Sequence, residues 1–305
     1  GRNNWGQLGQ GDYVDRGETA LSMGDALLPI DLGTTSDGVS PLLATGVAAG
    51  AEFTCVLLED ASVKCLGRND EGQLGRGDTE DNVGSSAVDL GDALVAVDLG
   101  TNVTVAAISS GTAATCANLE GGGMKCWGSN AYGGLGVEDS LARGDEAKDM
   151  GDNLAEVDLG TGVEAETVFY GQRHVCAIVT GGRVKCWGDN RSGQLGIGHV
   201  DTIGDDAGEM GDGLPFVDLG VGAKASWLSL GESHSCAMLA SGEIKCWGKG
   251  YSGQLGDGQY TARGKYPDEM STGLVAVDLG TGTDAAVLGA GHDHTCAALD
   301  DGSLK

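Results

Sequence analysis

Basic residues are scarce in this sequence. Lysine and arginine together number 18 against 45 aspartates and glutamates, which leaves a formal net charge of -27. Nucleic-acid binding is therefore disfavoured, because lysine and arginine are what neutralise phosphate backbones. The sequence also lacks an apolar run of the roughly 18 residues that would span a bilayer, and it has no basic stripe suited to an anionic membrane surface. We expect neither a nucleic-acid partner nor membrane insertion.

Aromatic residues and helical patterns are also rare. Aromatic side chains make up 5% of the chain, and no amphipathic stretch has the length and period of an α-helix. Glycine, by contrast, is abundant at 56 residues, although it does not recur at every third position as collagen requires. Hydrophobic residues at 40% are sufficient for a packed interior. Short apolar runs bounded by glycine predict an all-β protein.

The chain consists of five copies of one repeat of about sixty residues. The first cysteines of the copies are spaced by 61, 60, 60 and 60 residues, and four of them are followed ten residues later by a second cysteine. The first copy has six extra residues before its first cysteine, within residues 34–51. We predict one repeat domain over residues 1–305, with repeats at 1–66, 67–127, 128–187, 188–247 and an incomplete one at 248–305.

Four strands fit each copy, and in the fourth copy we predict them at residues 225–230, 235–239, 244–247 and 214–219. The cysteine spacing indicates that the second and third of these form a hairpin. In the fourth copy, pairing Cys236 with Cys246 leaves residues 240–242 as a three-residue turn that ends in glycine. The last residue of such a turn is left-handed, a conformation that glycine adopts without steric cost. Ala61 occupies this position in the first copy, so we expect the first hairpin to be the most strained.

Directly opposed cysteines in such a hairpin are close enough to bridge, with α-carbons about 4.5 to 5.5 Å apart. We predict four disulfides, namely Cys55–Cys65, Cys116–Cys126, Cys176–Cys186 and Cys236–Cys246. Reduced buried thiols and metal ligation are the alternatives. Matched cysteines favour an oxidising location, extracellular or at the cell surface. In that location the sequons at Asn102 and Asn190 are candidates for glycosylation.

Cys296 is the one cysteine without a mate ten residues later. The sequence stops at Lys305, inside a predicted strand, one residue before the mate would occur. We interpret the five copies as a segment of a longer array, with neighbouring repeats beyond both ends and Cys296 unpaired by truncation. The alternative is a closed ring in which Lys305 and Gly1 share one strand.

The text GQRHVCAIVTGGRVKCWGDNRSGQLGIG, residues 171–198, resembles the regulator of chromosome condensation repeat, and the likeness recurs in all five copies. The resemblance implies a β-propeller-like array with about one four-stranded blade per repeat and a rigid surface that binds proteins. An open superhelical continuation of the same blades is the alternative. Paired cysteines and long acidic loops depart from the family's usual pattern and suggest a secreted-type subgroup.

Histidine and tryptophan recur at fixed places in the repeat. His174, His234 and His294 each stand two residues before a cysteine, but Phe53 and Ala114 occupy the same place in the first two complete copies. We interpret these histidines as structural hydrogen-bond donors rather than metal ligands. The tryptophans that follow the second cysteines are expected to pack between blades; they are Trp127, Trp187 and Trp247.

The loops between GQLG and VDLG are rich in carboxylates. Calcium takes several oxygen ligands from such loops, although the spacing lacks the EF-hand pattern and a solvated acidic face explains the same residues. The calcium candidates are Asp145, Asp149, Asp152, Asp205, Asp206 and Asp212. We expect no other metal and no cofactor.

No residue in the repeats combines a nucleophile with an adjacent base, so we expect no catalytic residue and no enzyme activity. The leading hypothesis is an extracellular repeat scaffold with a structural or adhesive role, one form of which is a segment of a longer surface fibre. The alternative is a secreted protein-binding propeller that uses its loop face, with the insertion at residues 34–51 as the first place to look. A hydrolase or lyase on a propeller is the least supported hypothesis. The expected partners are other proteins or further copies of the chain.

Overall fold

The computed structural model describes residues 1–79 and 82–305. Within these residues the regular structure consists of fourteen β-strands and nine single turns of 3-10 helix. The strands are β1 (Ala44–Ala49), β2 (Phe53–Leu58), β3 (Val63–Gly67), β4 (Val105–Ser110), β5 (Ala114–Leu119), β6 (Met124–Gly128), β7 (Ala165–Tyr170), β8 (His174–Val179), β9 (Arg183–Gly188), β10 (Ala225–Leu230), β11 (His234–Leu239), β12 (Ile244–Gly248), β13 (Ala285–Ala290) and β14 (Thr295–Leu299).

The 3-10 turns lie in the acidic loops and were not predicted from the sequence. Most come in pairs separated by one extended residue, which is methionine in several copies. The turns are Ala20–Ser22, Gly24–Ala26, Ala87–Asp89, Gly91–Ala93, Ala147–Asp149, Gly151–Asn153, Gly211–Gly213, Pro267–Glu269 and Ser271–Gly273. No helix in the described part of the chain is long and apolar enough to cross a membrane.

Each repeat forms a small antiparallel sheet. Four sheets have three strands, in the orders β1-β2-β3, β4-β5-β6, β7-β8-β9 and β10-β11-β12, and the last pairs β13 with β14. The predicted fourth strand is wrong, because residues 214–219 form only the single bridge between Phe216 and Lys185. The chain turns away directly afterwards, where the Asp218 carboxylate accepts a hydrogen bond from Gly220 N at 2.9 Å and Gly220 adopts a φ of 106°.

The described chain forms two compact units. The first comprises Gly1–Asn130 and Leu141–Glu156 and contains strands β1 to β6. Its core is built from the inward faces of these strands, including the fully buried side chains of Phe53, Leu66 and Trp127. Burial of such large apolar side chains is the main stabilising contribution to a unit of this kind.

The second unit comprises Ala131–Ser140 and Val157–Lys305 and contains strands β7 to β14. One hydrophobic cluster within it includes Ile244, Leu255 and Leu288, which come from β12, a GQLG loop and β13. This cluster shows how the repeat is stabilised: a strand of one copy packs against a loop and a strand of the next. Nearest-neighbour packing of this type is typical of repeat proteins.

The hairpin register follows the cysteine spacing. Cys236 opposes Cys246, and Leu239 N donates to Glu243 O at 2.8 Å to close the three-residue turn. Gly242 adopts a φ of 87° there, whereas Ala61 is forced to a φ of 64° at the equivalent place in the first hairpin. The first hairpin is therefore the strained one, since a side chain in the left-handed region clashes with its own backbone.

We expect Ala61→Gly to stabilise the chain by about 1 kcal/mol, because glycine removes the strain of the left-handed conformation. The measurement is the free energy of unfolding in denaturant. The matched control is Gly302→Ala, where φ is 82° and an added Cβ would meet nothing within 4 Å. This change should destabilise by a similar amount, and a loss of stability in Ala61→Gly would contradict the interpretation.

Candidate protein-binding loops and the framework that holds them

Disulfides close four hairpins of the structure, and they are the pairs that the sequence predicts. Their α-carbons are 4.1 Å apart in every case, slightly closer than the expected 4.5 to 5.5 Å. The reason is the position of the cysteine pair in the hydrogen-bond pattern of the two strands. In the last hairpin Ala297 and Lys305 exchange both backbone hydrogen bonds, so the next pair along belongs to the closer, non-hydrogen-bonded type. Cys296 is a free, exposed thiol.

Two histidines connect successive copies in the second unit. His174 is fully buried, and its Nε2 lies 2.9 Å from Ser235 Oγ. Ser235 Oγ donates its own proton to Gln194 O at 2.8 Å, so the histidine Nε2–H must be the donor. His234 repeats the arrangement with Thr295 Oγ1 at 3.0 Å. The histidines have the structural position that the sequence favours, except that His294 is exposed.

Burial keeps these two imidazoles neutral. Desolvation and, to a smaller extent, the neighbouring His234 lower the pKa of His174 to about 3, although Asp189 partly opposes this. Desolvation likewise lowers the pKa of His234 to about 4. In both rings Nδ1 is buried without a hydrogen-bond partner among the described residues, so protonation there would create an unsatisfied buried donor.

The tryptophans pack between copies as predicted, and each one also makes a defined hydrogen bond. Each indole is fully buried and donates from Nε1 to a backbone carbonyl in the preceding GQLG-type loop. The three bonds are Trp127 to Gln73 at 3.2 Å, Trp187 to Gly134 at 3.0 Å and Trp247 to Gln194 at 2.9 Å. The last glycine of that loop leaves room for the ring, since a Cβ on Gly196 would lie 2.7 Å from the Trp247 Nε1.

A lysine that is buried in the first three complete copies and half-buried in the fourth was missed by the sequence interpretation. Lys125 Nζ donates to Leu99 O at 2.7 Å and Gly151 O at 3.3 Å, which belong to consecutive copies. Lys185 does the same, and burial lowers its pKa below the ordinary value despite nearby aspartates. The signal was available, because a lysine in an otherwise apolar strand recurs at 64, 125, 185, 245 and 305.

The calcium candidates have two roles in the structure. Asp152 accepts hydrogen bonds from Thr101 N at 2.6 Å and from Thr101 Oγ1 at 2.9 Å, which join two copies, and these bonds lower the pKa of Asp152. Asp212 binds Thr161 in the same way. The other candidates lie near further carboxylates: Asp145 near Asp149, and Asp205 and Asp206 near Glu209.

None of these six aspartates belongs to a set of three clustered metal-ligating side chains within residues 1–79 and 82–305. Burial, followed by the hydrogen bond and charge of Asp145, raises the pKa of Asp149. Burial, followed by the charges of Glu209 and Asp206, raises the pKa of Asp205. These like-charge contacts cost stability at neutral pH. Calcium binding at either place stays a prediction.

We expect Asp145→Asn to raise the melting temperature at pH 7, because a neutral amide beside Asp149 removes the repulsion between two carboxylates. The expected gain in the free energy of unfolding is up to about 1 kcal/mol. Scanning calorimetry measures the shift. The control is Asp152→Asn, which weakens the bonds to Thr101 and should lower the melting temperature. Calcium that stabilises the unmodified chain but not Asp145→Asn would assign the Asp145 and Asp149 pair to a cation site instead.

The two sequons differ in exposure. Asn102 is exposed, so glycosylation there stays a prediction. Glycosylation of Asn190 is contradicted, because its side chain is fully buried, donates from Nδ2 to His199 O at 2.8 Å and accepts from Leu195 N at 3.0 Å. A glycan on that nitrogen would break the bonds that shape the loop.

The loop before β8 carries Arg173, and the loops after β6 and β9 carry Tyr132 and Arg191, so these loops are candidates for contacts with a partner. In the second unit Arg173 lies 4.9 Å from the ring centroid of Tyr132, and Arg191 lies 5.1 Å from the same centroid. Arg191 also makes two 2.8 Å bonds to Asp189. These bonds outweigh burial and hold the pKa of Asp189 below its ordinary value.

We call Tyr132, Arg173 and Arg191 the arginine–tyrosine cluster. Both guanidinium groups are exposed, and Arg173 makes no ion pair with any described residue. Tyrosine and arginine are enriched at the energetic centres of protein interfaces, and a stacked arginine is held in place at little further entropic cost. In a chain that is strongly acidic overall, this cluster is a distinctive local surface.

A second charged group lies on the equivalent loops of the last two copies. Lys249 Nζ lies 3.2 Å from Glu232 and 3.0 Å from Asp293. His292 contacts the same two carboxylates, at 3.3 and 2.8 Å. This is the one set of three clustered metal-ligating side chains within the described residues, but the lysine already supplies a cation there.

The insertion of the first copy is a compact loop at the hairpin-turn end of its sheet. Asp37 accepts hydrogen bonds from Thr35 Oγ1 at 2.6 Å, Val39 N at 2.8 Å and Ser40 N at 2.9 Å, and these bonds hold its pKa well below the ordinary value. Val39 is 81% exposed at the tip. An exposed valine on a hydrogen-bonded loop is compatible with the predicted binding role, which stays a prediction.

Comparison with known proteins supports the repeat assignment. The family model described as "Regulator of chromosome condensation (RCC1) repeat" matches residues 44–73, 166–194 and 228–254. The ultraviolet-B receptor UVR8 of Arabidopsis thaliana is 29% identical over 85% of this chain and 51% of the receptor. The X-linked retinitis pigmentosa GTPase regulator of Mus musculus is 31% identical over 46% of the chain and 12% of that protein. The chain thus spans about half of the receptor's length.

Solved structures show the same fold class. Yeast RCC1 (Prp20), from a complex with Kap60, superposes with a TM-score of 0.71 at 17% identity, covering 100% of this chain and 62% of the yeast chain. Human WBSCR16 superposes with a TM-score of 0.64 at 20% identity, covering 98% of this chain and 66% of the human chain. The fold is therefore of the all-β propeller class, with three-stranded sheets where four strands were predicted. Given the repeated sequence motif, the repeated sheet and these matches, the chain contains repeats similar to the regulator of chromosome condensation (RCC1) repeat.

Proposed function

We propose that this chain is a non-enzymatic extracellular scaffold that binds a protein partner through the loops around the arginine–tyrosine cluster. The observation that carries the proposal is this cluster, an exposed pair of guanidinium groups on one ring within a rigid framework. Repeat propellers of this family are protein-binding or regulatory modules, which supports the class of function. The yeast relative Prp20p has been studied structurally together with its binding to Gsp1p and histones.

The extracellular location is proposed from the disulfides. Four buried disulfides in successive copies require an oxidising environment to form and persist. Secretion of the full chain from a host cell, with these four pairs oxidised on mass analysis, is the expected result. Accumulation of stable, fully reduced chain in the cytosol would contradict the proposed location.

The binding proposal is tested by immobilising the oxidised chain and comparing capture from cell-surface protein fractions. We expect Arg173→Ala to reduce capture of the specific partner by about tenfold or more, because truncation of an interface arginine removes both stacking and charge. The matched control is Arg183→Ala, since Arg183 also stacks on an aromatic ring, Phe216 at 3.9 Å, but lies beside the hairpin turn at the other end of its sheet. Equal binding by both variants would reject the cluster as the site.

A structural or adhesive role through self-association is the second candidate. The repetition of one disulfide-closed hairpin in four successive copies favours it, because similar copies offer similar contacts to one another. Electron microscopy of the oxidised chain that shows only isolated particles at high concentration would argue against this role.

A further inference from the structure

A bond between a threonine and an aspartate joins successive copies at the first three junctions of the repeat. After each DLG sequence, the backbone N–H of a threonine donates to an aspartate carboxylate of the next copy. The three bonds are Thr34 to Asp92 at 2.7 Å, Thr101 to Asp152 at 2.6 Å and Thr161 to Asp212 at 2.7 Å. The threonine hydroxyl donates to the same carboxylate each time. Each of these junctions therefore holds one carboxylate at a fixed place.

The repeated lysine lies near that carboxylate. The bonds from Thr101 lower the pKa of Asp152 most, burial opposes them in part, and the charge of Lys125 adds a smaller lowering. Asp212 has its pKa lowered in the same way by Thr161 and Lys185. Hydrogen bonds and an opposite charge both favour the ionised form of a carboxyl group. The junction is thus built to hold a carboxylate anion.

The fourth junction keeps the donors and lacks the aspartate. Val221 stands in place of the threonine, and Thr272 stands in place of the aspartate. Within residues 1–79 and 82–305 the Val221 N–H has no hydrogen-bond acceptor. Lys245 Nζ donates to Leu219 O at 2.8 Å, whereas Lys185 Nζ has two carbonyl acceptors, at 2.7 and 3.0 Å. An N–H and an ammonium group here both retain the capacity to donate.

The ammonium group of Lys245 lies next to the place of the aspartate. A Cβ added to Gly160 would have Asp212 Oδ1 as its nearest neighbour, at 2.8 Å. At the equivalent Gly220 the nearest atom would be Lys245 Nζ, at 3.4 Å. Lys245 is also half-buried, whereas Lys185 is 2% exposed. The positive charge therefore faces the space that a carboxylate fills in the preceding copy.

A cavity of about 510 Å³ opens at this junction, between the fourth and fifth copies. Val221 and Thr272 form part of its walls. Its charged lining residues are Lys224, Lys245 and Glu243, so the lining has a net positive charge in a chain whose formal net charge is -27. A positively charged cavity on an acidic chain is complementary to an anion from outside.

We propose that this cavity binds a carboxylate group of a molecule outside the chain, at the place that Asp212 fills in the preceding copy. The carboxylate accepts hydrogen bonds from the Val221 N–H and the Thr272 hydroxyl, beside the Lys245 ammonium group. Hydrogen bonds to a charged acceptor are stronger than those between neutral groups. A free organic acid and an aspartate side chain of another polypeptide both present this group. The proposal does not depend on the arginine–tyrosine cluster.

Nuclear magnetic resonance of the oxidised chain, labelled with ¹⁵N-valine, observes the Val221 amide directly, and Val221→Ile identifies its signal by removing it. Titration with acetate at constant ionic strength should move this amide-proton signal downfield along a saturating curve. We expect a dissociation constant on the order of 10 mM, as suits a few exposed hydrogen bonds. Chloride is the control anion. No shift with acetate, or an equal shift with chloride, would overturn the proposal.

Two peptides distinguish the sources of the carboxylate. Acetyl-Gly-Asp-Gly-amide presents it on a polypeptide, and acetyl-Gly-Asn-Gly-amide is the neutral control. Tighter binding of the aspartate peptide than of acetate would assign the site to a polypeptide partner, and otherwise a small organic acid is the ligand. Binding of the asparagine peptide as strongly as the aspartate peptide would contradict recognition of a carboxylate.

Two variants exchange the internal and the external carboxylate. Thr272→Asp should fold, because Asp212 has the equivalent position in the preceding copy. We expect it to raise the melting temperature by a few degrees and to weaken acetate binding at Val221 by about tenfold or more. Asp212→Ala is the matched opposite change, which should allow acetate to shift the Thr161 amide signal in ¹⁵N-threonine-labelled chain. Undiminished acetate binding by Thr272→Asp, or no shift at Thr161 in folded Asp212→Ala, would contradict the proposal.

Discussion

Complete reduction of the four disulfides is expected to unfold most of the chain near room temperature. Each disulfide closes a hairpin at a sequence separation of 10 residues. The chain-entropy relation assigns a loop of this size about 2.5 to 3 kcal/mol. Four such contributions sum to about 11 kcal/mol, which is comparable to the whole net stability of an ordinary domain, about 5 to 15 kcal/mol. Reduction therefore removes most of the net stability of the folded chain.

The measurement is the melting temperature of the chain before and after reduction, with the number of free thiols counted by mass analysis. Because the bridged cysteines are buried, reduction has to be carried out in mild denaturant that is then removed. Cys296→Ser is the control, since its exposed thiol is not bridged and should not change the result. A fully reduced chain that still melts within a few degrees of the oxidised chain would show that packing alone suffices.

Acidification from pH 7 to pH 4.5 is expected to cost about 5 kcal/mol through two histidines. The pKa of His174 is about 3 and that of His234 about 4 in the folded chain, against an ordinary value of 6.5. When folding lowers the pKa of a base, the folded state keeps its full stability above pH 6.5. Stability falls as the pH drops below 6.5, because the unfolded chain binds the proton first. At pH 4.5 the free energy of unfolding has fallen by about 2.5 kcal/mol for each histidine.

Denaturant unfolding at half-unit steps between pH 7 and pH 4.5 measures this slope. The double variant His174→Gln and His234→Gln is the control, since glutamine can still donate to the serine or threonine hydroxyl but does not titrate. It should show a much flatter profile. The raised pKa values of Asp149 and Asp205 act with the opposite sign, since protonation relieves their repulsion as pH falls. An unchanged slope in the double variant would contradict the role of the histidines.

The repeat itself made much of the framework predictable. The constant distance between cysteines fixed the hairpin register, and the glycine at the turn fixed its conformation, so that even the strain at Ala61 followed from the sequence. The predicted strand over residues 225–230 is found at those bounds as β10. These features depend on local geometry, which neighbouring residues determine.

Other features depend on contacts between copies and could not be predicted from one copy alone. The segment before VDLG has the composition of a strand, but its aspartate bonds back to the glycine two residues later and ends the pairing after a single bridge. Asn190 matches a sequon, yet its amide is used inside the loop. The arginine–tyrosine cluster combines residues that are distant in sequence, so no spacing rule would have found it.

The buried lysines have a consequence for how such a chain changes in length. Since Lys125 binds carbonyl groups of two consecutive copies, removal of half a copy would leave an ammonium group in the interior without acceptors, at a cost of several kcal/mol. Removal or duplication of one whole copy leaves each such lysine with an equivalent pair of acceptors, as found for Lys64, Lys125 and Lys185. The chain is thus expected to tolerate gain and loss of material in steps of one complete repeat, and to resist any other step.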